Sequence, residues 1–190
     1  MFDINTHIHT LLSEYIKVFP DEVDRYQLLQ EQLERDEIIS SRKNFTWHLT
    51  ASAYIISWDM KKIAMIHNKN LNKWLAPGWH WEEGDNEMYN NARREAIEET
   101  WIQDIELFHW HKDHNYIPID IDTHYIPENP KKQEHEHFHH DFRYIFMLHN
   151  MQTNINIQWE EVQWFQWISI AEQWKNFSWS SVIKKISHIL

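Results

Sequence analysis

The chain of 190 residues is 42% hydrophobic, enough to bury one good core as a single domain with a short appendage, and its formal net charge is −11. That charge argues against a general nucleic-acid surface or a surface for anionic membranes, since either favours a basic patch. There is no cysteine, which excludes disulfides and cysteine-ligated zinc; with no signal-peptide pattern and no apolar run near the roughly 18 residues of a bilayer span, a cytoplasmic location is the default expectation.

Residues 6 to 19 and 21 to 39 both show helical spacing, through Leu11, Leu12, Tyr15, Ile16 and Phe19 in the first and Val23, Tyr26, Leu29 and Leu33 in the second. Pro20 separates them, and either Asp21 caps the second helix or Pro20 occupies its first turn. A helical hairpin ahead of a larger fold serves packing or a dimer surface. Residues 1–44 therefore read as a helical extension without a catalytic role, with a homodimer as one partner expectation. From Phe45 the period changes to that of a strand: Trp47 to Trp58 is rich in β-formers, a turn follows at Asp59, and Lys61 to His67 reads as the hairpin partner.

Next comes Leu75 to Ile102, with Pro77 and Gly78 at its entry, Gly84 and Asp85 in a turn, and a helix-forming run from Arg94 to Glu99. Glu95, Glu98 and Glu99 stand at i, i+3 and i+4, hence on one helical face. Carboxylates this close repel one another unless a cation lies among them, and hard oxygen ligands suit Mg²⁺ or Mn²⁺. The plainer alternative is a solvated acidic face. The segment resembles the Nudix box, a glycine-led loop ending in Arg-Glu, an aliphatic residue, any residue, Glu-Glu, any residue, Gly and an aliphatic residue. Arg94, Glu95, Ala96, Glu98, Glu99 and Ile102 fall on that pattern in register. Trp79 and Trp101 stand where it has its two glycines, and a loop longer by one residue brings Asp85 or Asn86 to its first acid position. Glycine occurs only twice and tryptophan twelve times; Trp47, Trp58 and Trp179 also occupy places that call for glycine.

After the box, Asp120, Asp122 and His124 alternate with Ile119, Ile121 and Thr123 within Asn115 to Pro127, so a strand there puts two carboxylates and an imidazole on one face. Residues 128 to 134 read as an exposed loop. From Glu134 to Leu148, His137, His139, Asp141 and Arg143 share one face while Phe138, Phe142, Tyr144 and Phe146 share the other. The apolar face belongs to the core; the polar face lines a cleft, forms a structural polar strand or holds a second metal. Asn154 to Gln158 alternates as a strand, Glu160 and Glu161 open a turn, and Val162 to Ile168 reads as the final strand with Trp167 inward. Ser180 to Leu190 is an amphipathic helix through Val182, Ile183, Ile186, Ile189 and Leu190.

The resemblance extends beyond the box. One branch of the Nudix superfamily has a Gly-His-(Leu, Ile or Val)-Thr-Ala-Ser-Ala strand before it, similar to Trp47 to Ala53 here, and later strands similar to Asp120 to Pro127 and Glu136 to Arg143. A late Trp strand and a short helix, here from about Ile170 to Trp174, also look like that family. The resemblance implies an α/β fold, a Nudix-type α/β/α sandwich with a mixed sheet over residues 45–190 behind the N-terminal helical extension. It further implies divalent-metal-dependent hydrolysis of a pyrophosphate bond in a nucleoside diphosphate linked to another moiety. In that reading Glu95, Glu98 and Glu99 hold the metal, Arg94 orients a glutamate, and the general base stays open among Glu98, Glu99 and Glu161. Asp120, Asp122, His137, His139, Asp141 and Arg143 face the substrate, a small-molecule nucleotide. Trp79 and Trp101 weigh against full activity, so two other classes remain: a catalytically weak or silent Nudix-fold nucleotide-binding module, and a His-rich transition-metal binder through residues 135 to 141.

Overall fold

Leu11, Leu12 and Tyr15 recur at helical spacing because they line the buried side of helix α1 (Ile4–Val18), whose first turn is capped by the Asp3 carboxylate accepting from the Asn5 N–H. The computed structural model describes residues 2–130, 133–150, 155–171 and 180–190. Pro20 opens a 3₁₀ helix (Pro20–Tyr26) that leads into helix α2 (Gln27–Glu34). The single helix expected over 21 to 39 is thus a 3₁₀ segment plus a shorter α-helix; α2 stops where Asp36 turns the backbone to a φ of 53°.

The strands are β1 (Trp47–Ile56), β2 (Lys62–Asn68), β3 (Lys73–Leu75), β4 (Gly78–His80), β5 (Ile105–Leu107), β6 (Asp120–Ile126), β7 (His137–Leu148) and β8 (Val162–Ser169). Helix α3 (Met88–Thr100) follows β4, α4 (His109–Asp113) follows β5, and α5 (Ser180–Ile189) comes last. The sheet is mixed: β1 runs parallel to β7 from the Trp47–Phe138 pair to the Ile56–Met147 pair, and every other pairing is antiparallel. β1 meets β2 only at Ile56 and Ile63, so its first half is left to pair with β4, while β2 turns away to β8 and β3.

Strand alternation sorts the layers. Leu49, Ala51, Ala53 and Ile55 of β1, with Phe142, Tyr144 and Phe146 of β7, pack against α1, α2 and α3. Tyr54, Ile56 and Ile145, on the opposite face, pack against Val182, Ile183 and Ile186 of α5. This is the expected α/β/α sandwich, with the N-terminal helices contributing Ile8, Leu11, Leu12, Tyr15, Tyr26 and Leu29 to the same core as the sheet. The face under α5 is apolar at one end only. Toward the other end the same rows read His48, Thr50 and Ser52 on β1 and His139, Asp141 and Arg143 on β7, and that end stays open.

Several local expectations shift. β6 starts at Asp120, because Asn115 and Tyr116 both take positive φ and turn the chain after α4. β7 starts at His137, while Glu134 makes an isolated bridge to Asn129. Residues 155–158 are not a strand: the Asn156 and Gln158 N–H groups donate to the Thr100 and Glu99 carbonyls, which the end of α3 leaves without helical partners. Leu190 is exposed, and Asn154 and the short helix expected from Ile170 lie outside the described residues beyond Ala171. Among the described residues no helix is long and apolar enough to cross a membrane.

Candidate functional site

The acidic face of α3 is built around Arg94. Its Nε and Nη2 donate to the two carboxylate oxygens of Asp85 at 2.9 and 3.0 Å, and its Nη1 donates to Glu95 at 2.9 Å and Glu98 at 3.1 Å. Asp85 is buried and also accepts from the Glu82 N–H at 2.9 Å, whereas Asn86 is exposed at a φ of 57°. Between the two residues left open by the long loop, Asp85 is the one that reaches Arg94. Glu99 is buried at 3% exposure and accepts from the Gly78 N–H at 2.9 Å.

Burial governs the charges here. It pushes Glu95 up to about 7, against the opposing pull of Arg94. It also pushes Glu99 well above the usual carboxylate range, with the negative charges of Glu95, Glu161 and Glu98 adding to the effect and the Gly78 N–H opposing it. Glu98 is the open member, with its side chain 52% exposed.

Strand β4 separates this helix from a cleft. On one side the Arg94 Nη2 and the Asn91 Nδ2 donate to the His80 carbonyl, and Glu99 holds the Gly78 N–H. On the other, Trp79 and His80 meet the row of β1 and β7: the Trp79 ring lies 5.3 Å from that of His139. Position 78 has room only for glycine, since a Cβ there would lie 2.3 Å from the Ala51 carbonyl oxygen and 2.5 Å from the Ser52 Cα.

The cleft has a volume of about 630 Å³ and is lined by polar residues of β1, β6 and β7 together with Lys73, Trp74 and Trp79. Its floor follows from register: His48 and His124 flank His139, Thr50 and Asp122 flank Asp141, and Ser52 and Asp120 flank Arg143. Of the six residues expected to face substrate, Asp122, His139, Asp141 and Arg143 line the cleft. Asp120 is fully buried beneath it, and His137 bonds His139 through their Nε2 atoms at 3.0 Å. Arg143 is engaged on all three nitrogens, donating to Asp141, Asp120 and Asp122 at 3.1, 3.1 and 2.7 Å. Ser52 and Thr50 donate to Asp141 at 2.8 and 3.2 Å. Glu95, Glu98 and Glu99 are not among the lining residues; Gly78, which is, joins the two regions.

His48 and His80 were not singled out from the sequence as site residues. The signal was there: His48 has the same strand parity as Thr50 and Ser52, but only the register shows that it faces His139.

A family profile described as NUDIX domain matches residues 47–187. Among solved structures, a C. elegans Ap4A hydrolase binary complex is 17% identical, with a TM-score of 0.54 over 74% of this chain and 96% of that one. A NUDIX family hydrolase from Clostridium perfringens is 20% identical, with a TM-score of 0.52 over 75% of this chain and 98% of that one. The E. coli dihydroneopterin triphosphate pyrophosphohydrolase is 16% identical, with a TM-score of 0.50 over 74% and 92%. Likeness at these identities is likeness of fold. Comparison with curated protein sequences yields no match.

Proposed function

This chain belongs to the Nudix family, and on that premise we propose that it hydrolyses a pyrophosphate bond in a nucleoside diphosphate linked to another moiety, using Mg²⁺ or Mn²⁺. The observation that carries the reading is the cluster on α3, where Arg94 bonds both Glu95 and Glu98 while Glu99 lies buried on the Gly78 N–H. The donor set fits a divalent cation. Glu95 and Glu99 are pushed toward the neutral form by burial, and an oxygen-seeking cation among Glu95, Glu98 and Glu99 would restore their charge. When bound, such an ion offsets phosphate charge and polarises the phosphoryl oxygen.

The protein's own groups supply the orientation. Asp85 fixes Arg94, and Arg94 fixes the rotamers of Glu95 and Glu98. Glu98, the most open of the three, is our choice of group to take the proton of an attacking water. The cleft beyond β4 receives the linked moiety, with Trp74, Tyr125 and Ile126 as apolar contacts and Asp122 and His124 as polar ones. Arg143 is neutralised by three carboxylates, so it acts by holding Asp122 and Asp141 in place.

A second reading, a Nudix-fold module that binds nucleotide with little turnover, is favoured by one feature: the Trp79 indole lines the cleft against His139, at a position where the family's pattern has glycine. A panel of nucleoside diphosphate derivatives assayed with Mg²⁺ or Mn²⁺ separates the two. Hydrolysis that falls by about a hundredfold or more in Glu98→Gln supports the enzyme. Ligand binding without product release in the wild type supports the module.

A further inference from the structure

Three histidines from three strands converge beside the cleft floor, which His139 lines. β1 and β7 place His48 directly beside His139, and β4 brings in His80, which pairs with Thr50. One ring nitrogen from each lies within 4.8 Å of the other two. The ring centroids are 4.6 Å apart for His48 and His139, 5.0 Å for His48 and His80, and 5.3 Å for His80 and His139.

The hydrogen bonds around these rings determine which nitrogens carry lone pairs. His48 Nδ1 lies 2.9 Å from the Asn44 carbonyl, so it donates there and Nε2 is left as an acceptor. That Nε2 is buried and has no hydrogen-bond partner, in a residue 1% exposed. His137 Nδ1 donates to the His135 carbonyl at 2.6 Å, which leaves its Nε2 to accept from His139 Nε2 and leaves His139 with Nδ1 as its remaining lone pair. A backbone carbonyl or a neighbouring ring holding the far nitrogen of an imidazole is the usual support of a metal ligand. As a purely structural cluster the arrangement is costly, because a buried acceptor without a donor is destabilising.

We propose that His48, His80 and His139 form a transition-metal site of the zinc class, distinct from the carboxylate cluster on α3. Neutral imidazoles are borderline-soft ligands suited to Zn²⁺, Co²⁺ or Ni²⁺, whereas carboxylates suit Mg²⁺ or Mn²⁺, so the two sites on either side of β4 select different ions. Burial keeps His48 and His139 neutral, the state in which they ligate. Three protein ligands leave the fourth position of a tetrahedral ion to water or to a ligand from the cleft, which His139 and His124 line. Histidines 135 and 137, which stand in the dense His run of the sequence, serve as support.

The test uses untagged full-length protein stripped with chelator and titrated with Co²⁺, then with Zn²⁺ in competition. The expected result is one equivalent of Co²⁺ with the visible absorption of tetrahedral cobalt, displaced by Zn²⁺. His80→Gln and His139→Gln weaken binding by more than about tenfold, while Glu98→Gln leaves it unchanged. His80 is only partly buried, so a metal-free melting curve of His80→Gln close to that of the wild type shows that it folds. Absence of tetrahedral Co²⁺ binding in the wild type overturns the proposal; so does binding that survives in a folded His80→Gln or is lost in Glu98→Gln. The site does not depend on the hydrolase reading: a protein with no hydrolysis but intact cobalt absorption fails that reading alone.

Discussion

Trp101 ends α3 in a left-handed conformation, with φ 57° and ψ 17°, and its N–H donates to the Ile97 carbonyl. A residue with a Cβ pays roughly 1–2 kcal/mol for that backbone, and glycine pays nothing comparable. The indole recovers little by packing, since it is 57% exposed. Trp101→Gly is therefore expected to stabilise the protein by about 1 kcal/mol, read as a rise in the denaturation midpoint with an unchanged slope. The spacing of Arg94, Glu95, Glu98 and Glu99 was readable as one acidic face because a helix converts sequence spacing directly into adjacency. The partner of Arg94 was not readable. Asp85 and Asn86 are neighbours in a loop, and it was the 3₁₀ turn at Glu83–Asp85 that buried one and exposed the other.

Helix α4 is five residues long, and His111 ties it to strand β7. His111 Nδ1 donates to the Ile117 carbonyl at 2.7 Å, and its Nε2 accepts from the Ile145 N–H of β7 at 2.9 Å, so the neutral ring bridges both sides. Burial pushes His111 down from 6.5 to about 4. Because the unfolded chain binds that proton more readily than the folded one, the contribution is fully present above pH 6.5 and is lost as pH falls through about 4. The loss by pH 4.5 is expected to be about 2 kcal/mol, measured by denaturant unfolding between pH 7 and 4.5. His111→Gln lowers stability at pH 7 and flattens that dependence; an equally steep dependence in the variant would remove His111 as its cause. At this scale the polar row of β6 and β7 is separated from Phe142, Tyr144 and Phe146 as their alternation implies, but Phe138, expected in the core with them, is 37% exposed at the start of β7. Residues 155–158 did not follow their alternation, because the free carbonyls at the end of α3 took their N–H groups.

Across the whole molecule, the N-terminal helices are part of the core. Lys185 of α5 lies 2.6 Å from the Tyr15 hydroxyl, 2.7 Å from Glu22 and 2.8 Å from Asp120, joining both helical layers to β6. The same Asp120 bonds Arg143, so the network runs from α1 to the cleft floor. We propose that residues 1–44 are required for folding. Ile8, Leu11, Leu12, Tyr15, Tyr26 and Leu29 are buried against the sheet, at about 2 kcal/mol each, which rivals the roughly 5–15 kcal/mol that holds a domain together. A chain of residues 45–190 is expected to show no cooperative thermal transition by calorimetry; a sharp transition would establish the extension as separable.

The α/β/α sandwich was implied by the family resemblance; by itself the residue pattern determined the helix bearing Glu95, Glu98 and Glu99 and the polar and apolar faces of β6 and β7. That helix and those faces depend on neighbours a few residues apart, whose relation is set by the period of one helix or one strand. Only the tertiary structure decided that β4 stands between the carboxylates and the cleft, that Arg143 is held by three carboxylates, and that His48, His80 and His139 come together. Those relations join residues distant in the chain through strand register, and a shift of one residue in register would have turned every one of these side chains to the other face.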